Sequence, residues 1–143
     1  MQVSSRFTTA IHIFACIDYF QKDYKITSDF LASSVNVSPV IIRKIMSQLR
    51  NAGLINVTRG TGGIALAKPA EEITLLDVFK AVESLDEGKL FHFHENPNTA
   101  CPVGSTIHLI LDDKLERIQK AMEDELKSIT IADVIRDTWK YAK

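Results

Sequence analysis

The sequence predicts a mostly α-helical chain with one small β-hairpin, and three observations carry that expectation. Apolar residues recur at three- and four-residue intervals through most of the chain. One stretch, NVTRGTGGIAL at 56–66, breaks that period with three glycines between two short apolar runs. Hydroxyl residues followed three positions later by an acid, the signature of a capped helix start, occur at Thr74/Asp77 and Thr130/Asp133.

The elements follow in chain order. In SRFTTAIHIFACIDYFQK, residues Phe7, Ala10, Ile11, Phe14 and Ile17 form the inward stripe of a first helix. Thr27 and Ser28 supply hydroxyls at the start of a short second helix with Phe30, Leu31 and Val35 inward, and Asn36 marks the turn. The third helix, in VSPVIIRKIMSQLRNAG, is the best delimited: Ser38 is a good N-cap, Pro39 sits where its missing amide costs nothing, and Gly53 provides a left-handed stop. Along it Ile42, Ile45, Met46 and Leu49 form a buried stripe, leaving Val40, Arg43, Lys44 and Ser47 on another side. Residues 54–58 and 64–67 are expected as the two strands of a hairpin. A helix capped by Thr74 runs to about Leu85, a long helix from about Ser105 to Lys127, and a last short one from Thr130 through Val134 and Trp139. Ile107, Leu111, Leu115, Ile118, Met122, Leu126 and Ile129 repeat nearly as a heptad seam, which on so short a chain calls for a partner helix.

Composition narrows the function. With 143 residues, 45% hydrophobic, there is room for one core and an appendage, not for two enzyme domains. The apolar run Ile11 to Ile17 is broken by His12, closed by Asp18 and far below spanning length, so no membrane segment is expected. Cys16 and Cys101 lie 85 positions apart, which provides neither a disulfide framework nor a zinc knuckle and suits a reducing cytoplasm. Net charge is only −1, yet residues 38–68 hold Arg43, Lys44, Arg50, Arg59 and Lys68 with no acid, a local +5. Residues 69–143 hold 9 basic and 15 acidic side chains, a balance of −6. A cationic segment on an acidic body binds a polyanion on one face only.

The glycine stretch is not a phosphate-binding loop, because a strand follows it where a helix is needed, and the GK[ST] ending is missing. Glycines at a hairpin tip instead let the backbone approach another surface, with Arg59 projecting at the tip's base. Helix, short helix, turn, basic helix and hairpin in that order make a winged helix–turn–helix, whose third helix enters the DNA major groove. Ser38, Val40, Arg43, Lys44 and Ser47 are then the contacts expected from that helix. Arg43 reads a guanine edge, Lys44 meets phosphate, Arg59 enters the minor groove, and Thr27 and Ser28 hold phosphates. Arg50, near the helix end, reads as a partner of the helix dipole and not as a contact.

His92, His94, Cys101 and His108 are chemically adequate metal ligands, but the HFH pair alternates sides and no metal site is expected. Cys101, just before the long helix, is a possible sensor because amide dipoles there lower a thiol's pKa; Cys16 reads as inert packing. No base and orienter set or cofactor loop points to an enzyme. A winged module that docks a protein in place of DNA is the rival reading, separable by its shallow salt dependence.

The SSRFTTAIHIFA opening, LRNAGLI at 49–55 and above all the RGTGGIALAK wing at 59–68 resemble the Rrf-two family of bacterial transcription regulators. Its members include the iron–sulfur cluster assembly regulator, the nitric-oxide-sensing repressor and the cysteine-metabolism repressor. The resemblance spans essentially the whole chain and implies a homodimer, with a DNA-binding domain at 1–70 and a helical linker, sensor loop (86–104) and dimerisation helix within 71–143. Cluster-binding members carry three cysteines in that loop, where this chain has only Cys101. The chain is therefore similar to the cluster-free branch, with no cofactor, and its signal is a thiol modification, a small molecule or a protein. Double-stranded operator DNA and a second copy of the chain are the expected partners, and repression the expected output.

Overall fold

The computed structural model describes residues 4–58, 63–83 and 88–142. Three helices open the chain: α1 at Ser5–Phe20, α2 at Ser28–Val35 and α3 at Pro39–Asn51. Thr27 caps α2 by accepting from the Phe30 amide, so Ser28 is the first helical residue, not part of the cap. Asn36 ends the helix in the left-handed region at φ 63°, as its position in the turn suggests. In α3 the Ser38 hydroxyl accepts from the Val40 amide and Pro39 takes the first turn. At the other end Gly53, at φ +77°, lets its own amide reach the Arg50 carbonyl and that of Leu54 reach Leu49, a Schellman stop.

Strands β1 (Ile55–Val57) and β2 (Ile64–Leu66) pair antiparallel, Ile55 with Leu66 and Val57 with Ile64. The amide of Ile64 also bonds the Ile26 carbonyl at 3.3 Å, which fastens the hairpin beside the start of α2. A 3₁₀ turn at Ala70–Glu72 leads to α4 (Leu75–Val82), then come α5 (Ile107–Ser128) and α6 (Ile131–Tyr141). Both expected capping boxes are present, Thr74 with Asp77 and Thr130 with Asp133, and they lie side by side. Thr74 and Thr130 form an antiparallel bridge, with Leu75 donating to Ile129 at 2.9 Å and Ile131 to Ile73 at 2.8 Å.

The core is one cluster. Ala10, Ile13, Phe14 and Ile17 of α1 meet Leu31, the expected stripe of α3, Ile55 and Ile64 of the hairpin, and also Ile73, Val78, Val82 and Ile131. Helix α6 returns to α1, where the Trp139 indole donates to the Asp18 carboxylate at 2.7 Å and its ring lies 4.7 Å from that of Tyr19. Helix α5 differs from all of these, since no residue of it is buried. It begins at Ile107, two residues past Ser105, and the Thr106 hydroxyl before it donates back to the Pro102 carbonyl. The heptad-like seam is half-covered by its own chain, with Ile118 exposed. Among the described residues no helix is long and apolar enough to cross a membrane.

Candidate nucleic-acid interface

The packing of α3 decides which of its side chains are available. Ile42, Ile45 and Leu49 are fully buried and Met46 nearly so, so the opposite side must face outward. Arg43 and Lys44 are exposed there, Ser47 half-buried, and Val40 is 66% exposed at the first turn. Between this helix, the start of α2 and the hairpin lies a cleft of about 360 Å³, lined on its polar side by Lys25, Thr27, Ser28, Arg43, Ser47 and Arg50. Met46, Val57 and Ile64 make its apolar part.

Of the residues expected from sequence, Thr27, Ser28, Arg43 and Ser47 thus converge in one concavity. Val40 and Lys44 stand on the adjoining face of α3, while the Ser38 hydroxyl is occupied with capping. Arg59, the wing residue, lies outside the described residues, which resume at Gly63. Two cations escaped sequence reasoning. Lys25 precedes α2 in an irregular segment without period, and Arg50 reads as a dipole partner; it does occupy the last turn of α3, and it lines the cleft as well. Ile41, exposed beside Val40, was likewise not singled out.

The loop before α5 is tightly folded. Asn98 accepts from the amides of Ala100 and Cys101, and Gly104 packs so close to the Asn98 carbonyl that no side chain fits. Backbone hydrogen bonds from Gly104 and Val103 hold the Cys101 thiol below the ordinary thiol range, because a thiolate accepts them better than a thiol does. Burial pushes Cys16 the other way, against a weaker opposing bond from Ser34; that thiol is 4% exposed and 3.1 Å from the serine hydroxyl. Two of the histidines take structural roles: the His108 ring stacks on Phe93 at 3.7 Å and its Nδ1 lies 3.2 Å from Asp112, and His94 stacks on the same Phe93 at 4.6 Å. Among the described residues, no three His, Cys, Asp or Glu side chains converge as metal ligands.

A basic helix set in a cleft beside an antiparallel hairpin defines the winged helix–turn–helix class of DNA-binding proteins. Residues 3–137 match the Rrf2 family model, described as iron-dependent transcriptional regulator. The chain belongs to the Rrf2 family, the Rrf-two regulators, and is a transcriptional regulator, a class without enzymatic activity. It is 41% identical over 133 residues to YwnA of Bacillus subtilis, whose name assigns it to the HTH-type transcriptional regulators; the match covers 93% of this chain and 96% of YwnA. A solved structure whose description assigns it to DNA-binding proteins superposes with a TM-score of 0.74 at 37% identity, over 92% of this chain and 99% of that one. CymR, the global cysteine regulator of B. subtilis, has the same fold, with a TM-score of 0.69 at 23% identity over 96% of this chain and 98% of its own.

The family description implies iron, and the donor set argues against it here. A cluster held by loop thiolates needs more than Cys101, and the second cysteine is closed into the α1–α2 packing. The residues present do not fit such a group.

Proposed function

We propose that the protein is a homodimeric repressor that binds a palindromic operator in the cytoplasm. The observation that carries this reading is the cleft itself, where the exposed cationic face of α3 meets Thr27, Ser28 and the hairpin, and where no acid is among the described lining residues. Arg43 reads a guanine edge from the major groove; Lys44, Thr27, Ser28 and Ser47 engage phosphates; Ser38 sets the start of the helix; and Arg59 enters the minor groove beside it. Residues 1–70 read DNA, and residues 71–143 pair two copies and carry the signal. The apolar side chains that α5 leaves open support pairing: Ile118 of the seam is 54% exposed, and Leu109 beside the seam 83%. A compact dimer on DNA excludes polymerase without further parts.

Cys101 is the candidate sensor, in the loop at 86–104. Its lowered pKa favours the thiolate, the form that reacts with oxidants and electrophiles. The deciding experiment measures binding of the purified protein to its own promoter region across a salt series, with Arg43→Ala and Arg59→Ala beside wild type. Selective, salt-steep binding weakened in both variants is the expected result. Binding that is unselective and flat in salt would instead mark the winged fold as a protein-docking module.

A further inference from the structure

Val40 lies where a recognition helix should present its most informative side chain, and it is aliphatic. Nine residues, about two and a half turns of helix, separate it from the fully buried Leu49, so the two project from opposite sides of α3. Its amide is already satisfied by Ser38 and its side chain is 66% exposed, with Ile41 at 47% beside it. Neither residue belongs to the core cluster or packs against it. A β-branched residue at this place adds little to the helix, where an acid would complement the dipole. One turn further on, Arg43 and Lys44 flank Val40 at three and four positions.

That combination of an apolar knob and a guanidinium on one stripe has a chemical complement. The major groove displays polar edges everywhere except at the 5-methyl group of thymine, the one apolar feature a side chain can meet there. The absence of acid from residues 38–68 fits a polyanion on this face and disfavours an apolar protein surface. Resting on the DNA-binding reading of this cleft, we propose that Val40, with Ile41 beside it, packs on the methyl group of a thymine, next to the base pair that Arg43 reads. The operator half-site therefore contains an invariant thymine within one step of a guanine, and Val40 is a specificity-determining residue.

The test replaces each thymine of the bound promoter duplex by deoxyuridine, which removes only the methyl group, and measures affinity by fluorescence anisotropy for wild type, Val40→Ala and Ile41→Ala. One thymine per half-site should cost wild type about fourfold, what one methyl group withdrawn from water is worth. Val40→Ala should bind the thymine and uracil duplexes equally at that position, with its thermal midpoint unchanged because the side chain is exposed. Selective binding in which no uracil penalty disappears in Val40→Ala overturns this inference and leaves the DNA reading standing. Absence of selective duplex binding overturns both.

Discussion

Replacing Arg50 by alanine tests whether the cleft works as a single phosphate grip. The side chain ends α3 and lines the cleft with Lys25 and Arg43, so it is placed to neutralise a phosphate as well as to face the last carbonyls. Each neutralised phosphate contributes about 0.9 to the slope of log affinity against log salt. In the proposed dimer two copies then give about 1.8, and the 50 to 200 mM range spans about 0.6 log units, so wild type should lose about twelvefold more than the variant across it. The assay is anisotropy on one duplex at five or more salt concentrations, with thermal midpoints taken in parallel. A residue that served only the helix dipole would lower the midpoint slightly and leave the slope alone. Equal slopes for wild type and Arg50→Ala would therefore refute the grip, however much the absolute affinity fell.

Gly53→Ala isolates a backbone cost. A Cβ there meets nothing within 4 Å, so the expected loss of about 1 kcal/mol comes from φ +77° alone, read as a lower urea midpoint at constant m-value; an unchanged midpoint contradicts the Schellman assignment. Alkylation of Cys101 by iodoacetamide should follow a pH profile displaced to lower pH than that of the urea-unfolded chain, because its pKa is lowered in the fold and thiolate appears earlier. Cys16, buried and raised, should stay unmodified in the native protein. A native Cys101 profile that coincides with the unfolded one would remove the amide bonds from the account.

Local chemistry explains which features could be read before the structure. Ser38, Pro39 and Gly53 each act within a turn of their own position, so α3 was delimited from sequence, and the same holds for Thr74 with Asp77 and Thr130 with Asp133. The burial of Ile42, Ile45, Met46 and Leu49 followed from period alone. Features that depend on packing between distant segments left no such trace. Trp139 and Asp18 are 121 positions apart, the two capping boxes meet only because α4 and α6 start side by side, and the cleft that Arg50 lines is closed by a hairpin bonded to Ile26.

Helix α5 is rooted at Ile129, where its carbonyl accepts from Leu75, and is held again at Gln119, which bonds both Gly88 and Leu90. From Gln119 back to Ile107 it runs on for twelve residues, about 18 Å, with the 89–93 segment against it and His108 stacked on Phe93. A rod anchored at one end moves most at the other and passes torque to its root. The tip adjoins Cys101, whose carbonyl accepts from Ser105, and the root adjoins Ile131 inside the core shared with the reading helices. The thiol with the lowered pKa thus sits where a small force has the longest arm, and the core of the reader sits where that force is felt.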